Sequence, residues 1–374
     1  MNSLRVLVAD DSVLFRRVLT EVLGSLPQVE VLGSASNGKL ALSKIRELQP
    51  DLLTLDMEMP EMDGLAVLDE LRRSGNRTSV IVVSAITKHG GQVTMKALEK
   101  GAFDFITKPE ALSPAESKES IRRELAPRLR ALAHRLEIRS ILKIAPVDEN
   151  GKPGSSVKVP AKSGEPVAGG ARKARPVALS RPEMVLIGVS TGGPSALSRV
   201  IPAIPADIGV PILIVQHMPP IFTQSLAESL ASRSAIAVRE AADSEVLRPN
   251  TAYIAPGGRQ MRIIAGFQGD KVIQITDDPP ENNCKPAVDY LFRSAASSFP
   301  GRASAVILTG MGSDGTIGLR LLKRHGCFVI AQDEATSVVY GMPKAALDSG
   351  TVDVVLPIDA IAQRITSSVR GIAG

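Results

Sequence analysis

The chain has 374 residues, room for two or three domains, with 44% hydrophobic and 22% charged residues, the ordinary balance of a globular protein. Its 44 basic and 39 acidic side chains leave a net charge of only +5, too mild an excess to argue for nucleic-acid binding. Two cysteines, Cys284 and Cys327, make no disulfide framework and fit a reducing, cytoplasmic setting. The N-terminal stretch MNSLRVLVADDS has no signal-peptide core, and no apolar run approaches the ~18 residues of a membrane span.

Leu4–Ala9, Val29–Ala35, Leu52–Leu55, Val80–Val83 and Phe103–Thr107 read as strands. Between them, Leu14, Val18 and Val22 recur at i, i+4, i+8, and helical patterns cover Leu40–Leu48, Leu65–Arg73 and Val93–Lys100. This alternation predicts an α/β domain with a parallel sheet covered on both faces, its ligands bound beyond the carboxyl ends of the strands. A last helix is expected over Ile121–Leu142, where Pro127 should kink or restart it.

Asp10 and Asp11 end the first strand, Asp56 the third and Ser84 the fourth, and Lys108 follows the fifth. Sheet geometry gathers all five at one edge. Three carboxylates suit a hard cation such as Mg²⁺, and one can accept a phosphoryl group as a nucleophile. Lys108 can neutralise phosphoryl oxygens and Ser84 can hydrogen-bond one. A single aspartate at a strand end is an ordinary turn or cap residue; five such groups at successive strand ends are not what independent placement produces.

From Leu4 to Ile144 the chain resembles a response-regulator receiver domain, through Asp10-Asp11, Asp56, Ser84-Ala85 and Lys108-Pro109. The resemblance implies a flavodoxin-like fold and phosphorylation of Asp56 by a chemotaxis histidine kinase. It also implies Mg²⁺ held by Asp11, Asp56 and the main-chain carbonyl of Glu58, with Asp10 in support. Phe105 takes the place of the family's rotating switch aromatic, although its position also suits a plain core strand residue.

Pro146–Pro182 is dominated by Gly, Pro, Ser, Lys and Ala. So few large apolar residues cannot offset the entropy of ordering, so a flexible linker is expected, its seven basic and three acidic residues solvated. The expected organisation is a first domain over 1–144, a linker over 145–182 and a second domain over 183–374.

In the second domain Val185–Val189, Ile212–Gln216, Ala237–Arg239, Ala252–Ala255, Val306–Thr309, Phe328–Ala331 and Val352–Leu356 read as strands. Helical stretches cover Ser195–Ile201, Thr223–Ser232, Val288–Ala296, Gly315–Lys323 and Lys344–Asp348. Met261–Ile264 and Lys271–Ile275 read as an inserted hairpin. A second doubly wound sheet follows.

Gly188-Val189-Ser190-Thr191-Gly192-Gly193-Pro194 leaves the first of these strands and opens a helix. Glycines around a serine allow a sharp turn that exposes the hydroxyl. The stretch nearly fits a dinucleotide fingerprint, but Ser190 stands where the middle glycine belongs and the next strand ends in Gln216-His217 rather than an acid. His217 is one candidate base among four histidines; His89, His134 and His325 lie elsewhere. Asp314, in the glycine-rich loop Leu308–Gly315, is either a helix cap or the carboxylate that orients the imidazole. The order Ser, His, Asp differs from the Ser, Asp, His of α/β-hydrolases.

The segment Met184–Val369 resembles the catalytic domain of the chemotaxis-type protein-glutamate methylesterases/protein-glutamine glutaminases. The likeness lies in Gly188–Pro194, Gln216-His217-Met218, Ala255-Pro256-Gly257-Gly258, Lys285-Pro286-Ala287-Val288-Asp289, Leu308–Gly315 and Gly341-Met342-Pro343. It implies a Rossmann-like domain, with Ser190, His217 and Asp314 hydrolysing glutamyl γ-methyl esters, and deamidating certain glutamines, on chemoreceptor cytoplasmic domains without a cofactor. The expected oxyanion donors are the main-chain amides of Met311 and Thr191. Phosphorylation is expected to relieve a receiver packed over the active site. Activity is expected to fall below the ordinary histidine pKa of about 6.5. Cys284 and Cys327 lack metal-ligand spacing and read as packed small residues; Met218 and Met342 read equally as groove or core. Nothing in the sequence demands more than a monomer or implies membrane insertion. A partner-binding regulator without catalysis, and a hydrolase acting on an unrelated ester or amide, are the competing readings.

Overall fold

The structure, a computed structural model, describes residues 3–109, 113–141, 181–267 and 269–371. The expected linker therefore lies outside the described residues except for Arg181 and Pro182.

The first unit runs β1 (Leu4–Ala9), α1 (Val13–Gly24), β2 (Val29–Ala35), α2 (Gly38–Leu48), β3 (Leu52–Asp56), α3 (Gly64–Arg73), β4 (Ser79–Ser84), α4 (Lys88–Glu99), β5 (Asp104–Thr107) and α5 (Pro114–Ile141). Its strands pair in parallel in the order β2-β1-β3-β4-β5. β1, β3 and β4 are mainly Val, Ile and Leu and are buried on both faces, which is why they read as near-continuous apolar segments, whereas the edge strand β2 is only partly buried. Ser12, Asn37, Asp63 and Thr87 start α1 to α4, each side chain accepting a backbone N–H of the first turn. α5 is not restarted at Pro127, which lies inside it. Ile121, Leu125, Leu129 and Leu132 bury one face of it against the sheet. At ~1.5–3 kcal/mol for each buried side chain, this outweighs the ~3 kcal/mol of an interior proline.

The second unit holds β6 (Met184–Val189), α6 (Gly193–Val200), β7 (Ile212–Gln216), α7 (Phe222–Ala231), β8 (Ala237–Glu240), β9 (Thr251–Ile254), β10 (Gln260–Ala265), β11 (Lys271–Thr276), α8 (Val288–Ser298), β12 (Ala303–Ile307), α9 (Thr316–Arg324), β13 (Phe328–Gln332), α10 (Met342–Asp348), β14 (Val354–Leu356) and α11 (Ile358–Arg370). Seven strands form a parallel sheet in the order β14-β13-β12-β6-β7-β9-β8, and β10 and β11 make a separate antiparallel hairpin. β6 is central, with β7 added on one side and β12 on the other, so the topological switch point lies at its carboxyl end. The sequence reading omitted α11, whose Ile358, Ile361, Ala362, Ile365 and Val369 close one face of the sheet. Among the described residues no helix is long and apolar enough to cross a membrane.

Candidate active site

Ser190 follows β6 and His217 follows β7, on adjacent strands at the switch point. The turn after Ser190 needs Gly192, whose φ of +76° starts α6. Ser190 N–H donates to Thr309 O at 3.0 Å, and the Thr309 hydroxyl donates to Thr191 O at 2.9 Å, tying this turn to the loop after β12. Among the described residues the main-chain amides of Thr191 and Met311 donate no hydrogen bond within the chain.

His217 Nε2 lies 2.8 Å from Asp314 Oδ2. Asp314 does not cap the helix that follows it. It sits at the start of α8 instead, accepting from Val288 N (2.7 Å), Asp289 N (3.0 Å), Gly315 N (2.9 Å) and Asn282 Nδ2 (3.0 Å). Burial alone would raise its pKa; the hydrogen bond and charge of His217, with these amides, bring it below the usual carboxylate value. An ionised carboxylate only accepts, so Nε2 carries the proton and the neutral ring keeps its lone pair on Nδ1. Burial pulls the His217 pKa down, but Asp314 and Cys284 outweigh it and raise the pKa from 6.5 to about 9. The His217 ring therefore loses its charge only well above pH 6.5.

The Ser190 hydroxyl makes no hydrogen bond among the described residues, and the group facing His217 Nδ1 is Cys284 Sγ at 3.5 Å. Cys284 is thus no ordinary packing residue, although Cys327 is buried as expected. The sequence reading did not single out Asn282, and it quoted Asp289 only within the Lys285–Asp289 motif, without a role. Asn282 Nδ2 bridges Asp314 to Asp289 Oδ2 at 3.1 Å, and Asp289 Oδ1 accepts Gly318 N–H at 2.7 Å. Burial, with the charge of Asp314, raises the Asp289 pKa. Met218 and Met342 are both buried and belong to the core. Gly257 packs against the Pro219-Pro220 segment after His217, placing its loop beside the site.

In the first unit Asp10, Asp11 and Asp56 converge at the β1/β3 edge, with carboxylate oxygens within 4.8 Å of one another. Lys108 Nζ lies 2.7 Å from Asp56 Oδ2 and 3.1 Å from Asp10 Oδ2. Asp10 Oδ2 is buried without a well-aimed hydrogen bond. Burial and the charge of Asp56, against Lys108, raise the Asp10 pKa to about 6. Burial opposes the charged form of Lys108, but Asp56 and Asp10 still hold its pKa above the ordinary lysine value. A cavity of about 170 Å³ opens here, bordered by Asp11, Asp56, Glu58, Ser84 and Lys108 among others. Ser84 Oγ turns toward α4: Thr94 Oγ1 donates to it at 2.7 Å and it lies 3.3 Å from Gly90 O.

The CheB methylesterase family profile matches residues 185–365, and the response regulator receiver domain profile matches residues 6–118. A protein-glutamate methylesterase/protein-glutamine glutaminase of Desulfotalea psychrophila is 47% identical over 375 residues, covering 99% of this chain and all of that one. The chain belongs to the protein-glutamate methylesterase/protein-glutamine glutaminase family. The methylesterase/glutaminase of Trichodesmium erythraeum is 41% identical, with 98% of this chain and 99% of that one covered. The crystal structure of the Thermotoga maritima CheB methylesterase catalytic domain is 43% identical, covers 50% of this chain and 98% of that one, and aligns with a TM-score of 0.49. The chain is a hydrolase that carries its own response-regulator receiver.

The receiver packs onto the methylesterase unit through α4, which lies against α6 and α7. These are the helices that leave the Ser190 turn and the His217 segment. Phe105 of β5 is buried and stacks on Phe222 of α7, ring centroids 4.7 Å apart. Arg233 Nη2 reaches Glu99 Oε1 at 2.7 Å, and Ser229 Oγ also donates to that carboxylate. Gly91 allows the close approach of α4: a Cβ there would stand 2.5 Å from Ser225 Oγ and 3.3 Å from Ser225 Cβ.

Proposed function

We propose that the chain hydrolyses glutamyl γ-methyl esters, and deamidates certain glutamines, on chemoreceptor cytoplasmic domains, with Ser190 as nucleophile, His217 as base and Asp314 as its orienting carboxylate. The observation that carries this reading is the His217–Asp314 pair, held at the sheet switch point on the strand next to Ser190. Rotation of the Ser190 side chain toward Nδ1 in the substrate complex brings nucleophile and base together, a tightening common on substrate binding. Oγ then attacks the γ-carbonyl and its proton passes to Nδ1. The N–H groups of Thr191 and Met311 face the developing oxyanion. Nδ1–H protonates the departing methanol or ammonia, and water cleaves the acyl-serine by the reverse path. Asp314 stabilises the imidazolium throughout without taking its proton.

Asp56 is the phosphoryl acceptor in this reading, with a chemotaxis histidine kinase as donor. The three converging carboxylates and the under-bonded Asp10 oxygen fit Mg²⁺, which Asp11, Asp56 and the Glu58 carbonyl would hold, with Asp10 behind them. The cation would neutralise charge on the phosphoryl oxygens as they transfer. Lys108 pairs with the acyl phosphate once formed. Ser84, drawn to a phosphoryl oxygen, gives up Gly90 and Thr94 on α4, the helix seated on α6 and α7. The phosphoryl group thereby favours receiver release and an open active site, the differential interaction any such switch requires. A fluorophosphonate that labels Ser190 in the native chain and not the Ser190→Ala variant supports this assignment; labelling that ignores Ser190 overturns it.

A further inference from the structure

Cys284 has no part in the acyl transfer above, yet it faces the nitrogen that must accept the serine proton. Its position is fixed by a tight turn in which Cys284 N–H donates to Glu281 O at 2.7 Å and Glu281 N–H to Cys284 O at 3.1 Å. We propose that Cys284 Sγ and His217 Nδ1 form a binding site for a borderline-soft divalent cation, Zn²⁺ above all, whose occupancy switches the esterase off.

Three observations carry it. The first is distance. Tetrahedral zinc with ordinary Zn–S and Zn–N bonds holds sulfur and nitrogen about 3.6 Å apart, and the two atoms here are separated by 3.5 Å. The second is the tautomer. Asp314 accepts a hydrogen bond from Nε2–H at 2.8 Å, so the Nδ1 lone pair of the neutral ring is the one aimed at the thiol. A carboxylate behind a ligating histidine is the usual outer partner of a bound metal. The third is composition and access. Cys, His and Asp side chains offer ligand atoms within 4.8 Å of one another, and Cys284 and His217 are both partly exposed, so an ion and its remaining waters can enter.

Thiolate and imidazole select zinc over magnesium, whereas the all-carboxylate cluster of the receiver selects the harder ion. The two sites of one chain therefore sort cations by softness. On binding, the Cys284 S–H proton, and the Nδ1 proton of any His217 ring that is charged, pass to solvent as the S–Zn and N–Zn bonds form, with no change of oxidation state. The bound ion occupies the Nδ1 lone pair, so Ser190 loses its base; this consequence rests on the assignment of His217 above. A chelator restores activity.

The test uses the chelator-stripped full chain with Co²⁺ as the probe. Wild type, Cys327→Ser and Ser190→Ala should each show thiolate-to-cobalt charge-transfer absorption that Zn²⁺ displaces; Cys284→Ser and His217→Ala should not. Cobalt in the receiver cluster has no thiolate and gives no such band. In ester hydrolysis, each variant normalised to its own metal-free rate, the half-inhibitory Zn²⁺ concentration should rise by more than about tenfold in Cys284→Ser, since even outer partners of a metal site are worth ~10–100-fold. A band absent from wild type, or retained in Cys284→Ser, overturns the site. A band without loss of hydrolysis upholds the site and refutes His217 as the base.

Discussion

Replacing Gly91 by alanine separates the stability of the receiver from its hold on the esterase. Gly91 lies in α4 without a positive φ, so alanine suits the helix and is favoured by up to about 1 kcal/mol. In the docked arrangement the same methyl stands 2.5 Å from Ser225 Oγ and 3.3 Å from Ser225 Cβ. Turning the hydroxyl away costs its bond to Ile221 O and leaves the Cβ contact tight; shifting the helices costs more. Overpacking of this kind runs to ~1–3 kcal/mol, which multiplies the open population of the unphosphorylated chain about five- to 150-fold, at 1.4 kcal/mol for each factor of ten. Methanol release from methylated receptor membranes without phosphodonor should rise by that factor, up to the fully phosphorylated rate. The melting temperature of the receiver should not fall. Adding Ser225→Ala removes the nearest atom and should reverse part of the rise. An unchanged basal rate in a folded Gly91→Ala chain, or a rise indifferent to Ser225→Ala, refutes the docking argument.

In chelator-treated enzyme, kcat/KM should fall about tenfold per pH unit below a midpoint near 9, because the raised His217 pKa keeps the ring charged up to there. The same shift stabilises the fold fully below 6.5, an increment lost as pH climbs to about 9; a kinetic midpoint at or below 6.5 contradicts both. Asn282→Ala removes one of the five bonds to Asp314, a charge-assisted bond worth ~1.5–3 kcal/mol, and should lower kcat about tenfold with little change in KM, whereas a loss under about twofold refutes a positioning role. Phe105→Leu and Phe222→Leu should each raise the basal rate, and their double-mutant cycle should show coupling near the ~0.5–1.5 kcal/mol of a stacked aromatic pair. Additive effects would show that the rings do not communicate.

The strands and the principal site residues were legible because both follow from local pattern. β1, β3, β6 and β7 are largely buried aliphatic runs bounded by turns, and Asp10, Asp11, Asp56, Ser190 and His217 sit where these runs end, so parallel topology alone gathers them at the two sheet edges. Cys284 carries no local signal. It meets His217 across 67 residues, from a turn that belongs to neither strand. Asn282 and Asp289 escape for the same reason, since their role arises only when the start of α8 is laid against Asp314. Pro127 does not restart the helix because local propensity yields to the burial of four apolar side chains on one helix face. Helix α11 was missed although Ile358, Ile361, Ala362, Ile365 and Val369 hold a helical spacing. The interface glycine at 91 looks like any helix glycine until α7 is packed on it.

The most direct measurement is methanol release from methylated receptor membranes by the wild-type chain and by Ser190→Ala, each with and without a small-molecule phosphodonor and Mg²⁺. The account predicts release by wild type that rises with the donor, and none above background from Ser190→Ala under either condition. Release that survives Ser190→Ala would contradict the assigned nucleophile, and wild-type release indifferent to the donor would contradict receiver control of the esterase.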